Sequence, residues 1–182
     1  MKRLLSIAMT MCLLLGVAAA QTKTTTKKSD KKSAPAAAKA AGSSHVKVYT
    51  PDDIKWTPAP NALPAGAQIA VLEGDPMKPG PYTIRLKFPN NYRIPPHSHA
   101  RAEHLTVLNG TLRVGMGDTF DEKNMNALGA GSFAVIEPAA HHYGWVKNAN
   151  MLKGRDTIIQ LHGEGPWEIK YVTASDDPRN KK

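Results

Sequence analysis

His97-Ser98-His99-Ala100-Arg101-Ala102-Glu103 is the stretch of this sequence whose residue types and spacing could do chemistry. On an extended strand, residues two apart point to the same face, so His97 and His99 can project together. Two imidazoles and a nearby carboxylate suit a divalent metal ion, and iron, manganese, zinc, nickel and copper all accept such ligands. Pro95-Pro96 stiffens the approach and places it at a strand edge or end. A lone His-x-His is more often two ordinary histidines, so the case needs a further ligand. Cysteine cannot supply it: the only one, Cys12, lies in the apolar N-terminal segment. Thiolate ligation, cysteine catalysis and disulfides are thereby excluded from the folded part.

The same residues resemble the first cupin motif, Gly-x5-His-x-His-x3-Glu-x6-Gly. His97, His99, Glu103 and Gly110 fall in register, and Asn91 stands at the leading glycine. Asparagine is a common non-glycine residue at positive φ, which makes this a mild departure. The second cupin motif, Gly-x5-Pro-x-Gly-x2-His-x3-Asn, is matched more loosely. Gly131 and His142 are kept, while Glu137, Ala139 and Val146 replace the Pro, Gly and Asn. The resemblance runs from about residue 65 to 174 and is to small single-domain cupins. It implies an all-β jelly-roll barrel in which His97, His99, Glu103 and His142 meet inside and bind one divalent metal ion. Three neutral imidazoles and one carboxylate would leave that ion net positive with one or two open positions. A closed structural zinc site instead fills four positions, usually with cysteines.

Other residues compete for roles. His104 and His141 each adjoin a ligand position, and strand alternation turns them to the opposite face. His162, in register with Ile158 and Gln160, could enter the pocket as a proton shuttle or be a structural histidine. Arg85, Arg93 and Arg101 could greet an anionic ligand, although a solvated face is the usual fate of such arginines. Trp145 and Trp167 could line a cavity, although packing is the commoner role. No nucleophile–base pair, phosphate loop or nucleotide fingerprint is present.

The elements that must position these residues are short apolar runs broken by Gly, Pro and Asn. Val46–Tyr49, Gln68–Leu72, Tyr92–His99, His104–Leu108, Thr111–Val114, Ser132–Ile136, His142–Val146, Thr157–His162 and Trp167–Val172 all read as strands. Tyr82–Phe88 alternates, with Ile84, Leu86 and Phe88 on one face and Thr83, Arg85 and Lys87 on the other. Asn109-Gly110 predicts a hairpin. Phe120–Leu128 predicts a turn or two of helix, with Thr119 and Glu122 as its capping box. Many short strands with almost no helix indicate a sandwich or barrel.

Met1–Ala20 has a basic start, an apolar stretch and a closing Ala18-Ala19-Ala20, the pattern of a secretory signal peptide. The expected product begins near Gln21, carries no transmembrane span, and is periplasmic or secreted. Gln21–Ser44 holds six lysines, one aspartate and no aromatic residue, and reads as a disordered linker. From His45 to Lys182, the expected folded domain, 16 basic and 14 acidic residues leave a net charge of only +2. The net charge of +9 therefore resides mostly in the two N-terminal segments. Export, and lysines with no interleaved aromatics, argue against nucleic-acid binding. The expected partner is a small-molecule ligand or substrate, and a homodimer is compatible with the fold. Two functions follow from the resemblance. One is a metal-dependent enzyme of dioxygenase, isomerase or decarboxylase type. The other is a non-enzymatic module that holds a ligand or metal. No cofactor beyond the metal is implied, and no catalytic base is identified apart from His162.

Overall fold

In the computed structural model, residues 46–147 and 156–181 are described, and they belong to a unit spanning Ser44–Lys182. The expected signal peptide 1–20 and the expected linker 21–44 lie outside the described residues. In chain order the strands are β1 (Thr57–Pro58), β2 (Gln68–Glu73), β3 (Gly80–Phe88), β4 (Arg93–Ser98), β5 (Glu103–Asn109) and β6 (Thr111–Met116). They continue with β7 (Asn126–Gly129), β8 (Phe133–Ile136), β9 (His142–Trp145), β10 (Thr157–Gly165) and β11 (Lys170–Tyr171). The only helical pieces among the described residues are three short 3-10 turns. None of the described helices is long and apolar enough to cross a membrane.

The strands form two antiparallel sheets, ordered β1-β2-β3-β10-β5-β8 and β11-β4-β9-β6-β7. Consecutive strands often sit in different sheets, the jelly-roll arrangement. The alternation read in Tyr82–Phe88 holds: Tyr82, Ile84, Leu86 and Phe88 are buried, while Thr83, Arg85 and Lys87 are not. Leu105 and Val107 from β5 and Ile159 and Leu161 from β10 join them in one core. Each such side chain contributes about 1.5–3 kcal/mol on burial. That core supports one end of the barrel, where the histidines gather.

Four local expectations are corrected. Asn109-Gly110 is not a hairpin, because β5 pairs with β8 and β10 whereas β6 pairs with β7 and β9. The dipeptide is instead the corner between the sheets. Gly110 has φ +78°, and a Cβ there would lie 2.4 Å from Thr157 Oγ1, so no side chain fits. Asn109 Nδ2 donates to the Asp156 carbonyl at 2.7 Å and pins the same corner. Phe120–Leu128 forms no helix. The Asp121 carboxylate accepts from Lys123 N at 2.9 Å and makes a turn, after which the chain pairs as β7 with β6. Glu122 is not a capping residue but an ion-pair partner of Arg93. Val46–Tyr49 is exposed coil, and of Trp167–Val172 only Lys170–Tyr171 is strand.

Candidate metal centre

His97 lies on β4, directly opposite His142 on the neighbouring β9. The pleat of β4 would not by itself aim both Ile94 and His97 inward, since they are three residues apart. A register shift between Ile94 and His97, at Pro95-Pro96, absorbs the odd residue, and both then line the interior. His99 follows the end of β4, and Glu103 opens β5 in the other sheet. All four side chains line one small interior cavity.

Two backbone conformations make this possible. Asn91 has φ +63° where β4 begins, and Ala139 has φ +60° just before β9. Both stand where the cupin motifs have glycine. Ala139 N–H donates to the His99 carbonyl at 2.8 Å, so this turn ties His99 to the approach to His142.

The imidazoles are arranged in a specific protonation pattern. His97 Nδ1 meets the Pro95 carbonyl at 2.7 Å, His99 Nδ1 the Glu168 carbonyl at 2.7 Å, and His142 Nδ1 the Ala140 carbonyl at 3.1 Å. A carbonyl only accepts, so each Nδ1 carries a proton, which leaves Nε2 as the nitrogen that can present a lone pair when the ring is neutral. One ligating nitrogen from each ring lies within 4.8 Å of the others. His99 Nε2 is buried with no hydrogen-bond partner. Glu103 Oε2 lies 3.5 Å from His99 Nε2 and 4.0 Å from His142 Nε2. Burial, then the neighbouring His142 and His99, hold the His97 pKa well below the ordinary imidazole value. Burial also lowers that of His142, against the opposing pull of the Ala140 carbonyl and Glu103. Neutral imidazoles with inward lone pairs and a carboxylate are what a divalent cation needs, and the Nδ1–H···O=C bonds are the usual outer support of such ligands. The residues present therefore fit a metal ion.

The neighbouring candidates fall elsewhere. His162 does not enter the pocket: with Ile158 and Gln160 it faces away from the core, and its ring stacks on His104 at 5.0 Å. The reason is parity, since Thr157, Ile159 and Leu161 take the inward positions of β10. His141 is turned out to Asp118. Arg93 lies over the Trp145 and Phe120 rings on the outer side, and Arg85 bonds Gln160. Trp145 packs in this outer cluster, whereas Trp167 lines the interior and donates from Nε1 to Glu103 Oε1 at 3.2 Å. Sequence reasoning did not foresee the contributions of the Glu168 carbonyl and of Tyr171, whose ring lies 5.9 Å from His97. The carbonyl left no signal in residue type. Trp167, Ile169 and Tyr171 are buried in alternation along the segment that the sequence predicts as a strand, although only Lys170–Tyr171 is one.

A closed antiparallel jelly roll with histidines from two adjacent strands inside it defines a cupin. Residues 44–144 match the ChrR cupin-like domain, and the chain belongs to that family. Among solved structures, the polyketide cyclase RemF from Streptomyces resistomycificus superposes with a TM-score of 0.58 at 18% identity, covering 73% of this chain and 89% of that one. An RmlC-like cupin from Ralstonia eutropha JMP134 gives a TM-score of 0.48 at 20% identity, covering 65% and 68%. A chain of the Rhodobacter sphaeroides complex of SigE with the anti-sigma ChrR gives 0.44 at 20% identity, covering 62% and 50%. The likeness to RemF shows a shared fold and nothing finer. No curated protein matches this chain significantly.

Proposed function

We propose that this protein is an exported cupin that binds one divalent metal ion through His97, His99, Glu103 and His142 and acts on a small oxygen-bearing molecule. The observation that carries the metal reading is the convergence of three imidazoles, with one ligating nitrogen from each within 4.8 Å of the others and each Nδ1 held by a backbone carbonyl. Without a cation these nitrogens and a carboxylate face one another in an apolar interior, an expensive arrangement. When bound, a metal supplies Lewis-acid polarisation of a substrate oxygen.

The chain's own residues set the conditions for that chemistry. Burial favours the neutral form of His97 and His142, and all three imidazoles are aimed by their Nδ1–H bonds. Glu103 offsets part of the ion's charge, and among the described residues it is the one carboxylate lining the interior. Leu86, Leu105, Leu112 and Ile159 exclude water around it. Isomerisation, decarboxylation and oxygenation of an enolisable or hydroxylated substrate are the reaction classes this arrangement suits. Export to the periplasm or exterior rests on the signal-like Met1–Ala20 segment.

One observation favours a second reading, a non-enzymatic metal or ligand module. The interior offers only about 40 Å³, room for an ion and its water rather than an organic substrate. A groove of about 610 Å³ lies beyond His99 and Trp167 and offers a larger molecule a place at the mouth. The test is metal-reconstituted protein assayed for oxygen uptake and substrate loss against diketones, catechols and flavonols. Metal-dependent turnover supports the enzyme. Full metal loading with no turnover of any of them supports the module.

A further inference from the structure

We propose that Trp167 positions Glu103, fixing it as a one-oxygen ligand through the hydrogen bond from its indole N–H. This rests on the metal reading above and adds a residue that neither cupin motif contains and that lies outside the matched span 44–144. A carboxylate has two equivalent oxygens and can grip an ion with one or both. Here Oε1 accepts from Trp167 Nε1 at 3.2 Å, in a pair whose side chains are both buried. Oε2 is the oxygen left facing the imidazoles, 3.5 Å from His99 Nε2. With Oε1 engaged, Glu103 would offer a bound ion one donor atom instead of two.

The indole is itself held in place. The Trp167 backbone N–H donates to the Pro76 carbonyl at 2.6 Å. The next residue's carbonyl, on Glu168, accepts from His99 Nδ1. Two residues further, β11 pairs Lys170 with Ser98 and Tyr171 with His97. The Trp167 ring lies nearly parallel to that of His99, 16° apart with centroids at 6.3 Å. One strap thus orients His99 through a backbone carbonyl and Glu103 through a side chain. A packing tryptophan needs only its area; this one places its indole donor on the only carboxylate that lines the interior among the described residues.

The test is Trp167→Phe, which keeps a large aromatic ring and removes the donor. Three quantities are measured on the full chain: zinc affinity by chelator competition, the visible spectrum of the cobalt form, and zinc affinity of Trp167→Phe in a Glu103→Ala background. The expected result is full stoichiometry, a zinc affinity lower by about tenfold to a hundredfold, and a cobalt spectrum shifted toward the weaker bands of higher coordination number. In the Glu103→Ala background the same substitution is expected to add nothing. Unchanged affinity and spectrum would overturn the proposal and leave the metal reading standing. An equal loss in both backgrounds would also overturn it, because the indole would then act by packing alone. A wild type that binds no zinc or cobalt overturns both readings. Should Trp167→Phe fail to fold, indole N–H resonances decide: the chain has three tryptophans, and one resonance is expected to shift in Glu103→Ala. No shift in any of the three would sink the idea.

Discussion

Replacing His97 and His142 together by glutamine is expected to flatten the acid side of the stability profile of the metal-free protein. Both imidazoles have pKa values held down by burial, and their ring centroids are 4.1 Å apart. Placing a proton on each would set two charges about that far apart, a repulsion of about 4 kcal/mol at an effective dielectric constant of 20. In the unfolded chain each takes its proton near the ordinary value of about 6.5. The sign follows. The folded values are depressed, so the unfolded state binds more protons as the pH falls, and stability that is intact above about 6.5 is lost below it. With two such groups the limiting slope is about 2.7 kcal/mol per pH unit. Over the unit from pH 6 to 5, a urea midpoint is expected to fall by about 1–2 M, taking an m-value of about 1–3 kcal/mol/M. Urea titrations of metal-free wild type and variant at pH 7, 6 and 5 measure this. Equal slopes in the two proteins, or a wild type that does not weaken below pH 6, would refute the reasoning that these rings are confined as neutral species.

Gly115→Ala puts a Cβ 2.2 Å from the Tyr143 ring, and overpacking of that kind is expected to cost about 1–3 kcal/mol in a thermal melt; an unchanged melt would mean Tyr143 is free to move. Ala139→Gly relieves an L-residue at φ +60°, worth about 1–2 kcal/mol against about 0.4–1 kcal/mol of added unfolded-state entropy. A modest rise in melting temperature with unchanged metal binding is expected, and a fall would contradict it. A chain beginning at Ser44 is expected to melt like the full mature chain, with mass spectrometry of exported protein finding an N-terminus near Gln21; a drop of several degrees, or intact Met1, would refute the corresponding reading of the N-terminal segments.

The strands of the barrel were readable because burial on one face imposes a period of two, as in Tyr82–Phe88, and because β-branched and aromatic residues cluster between turn formers. The inward direction of Glu103 was readable from parity with Leu105 and Val107, and the outward direction of His104 and His141 likewise. Asn91 was legible because its residue type tolerates the positive φ it adopts. Ala139 was not, since alanine gives no such signal, and only its place in the motif suggested it. His162 misled because parity gives two faces without saying which is inside; Thr157, a polar residue, turned out to be fully buried at the inner face. Asn109-Gly110 supplied the positive φ that a hairpin needs, but sheet partnership is decided by distant strands. The helix expected at Phe120–Leu128 lost to a side-chain turn at Asp121 and to the ladder with β6. The roles of Trp167 and the Glu168 carbonyl depend on contacts across about sixty-five residues of chain, which no local pattern encodes.

Metal content measured by elemental analysis on purified wild type, His142→Ala and His141→Ala tests the central claim most directly. The account predicts one divalent ion per wild-type chain, a nearly empty His142→Ala, and a His141→Ala that keeps its metal. A wild type without metal after reconstitution, or a His141→Ala that is emptied while His142→Ala stays full, would contradict it.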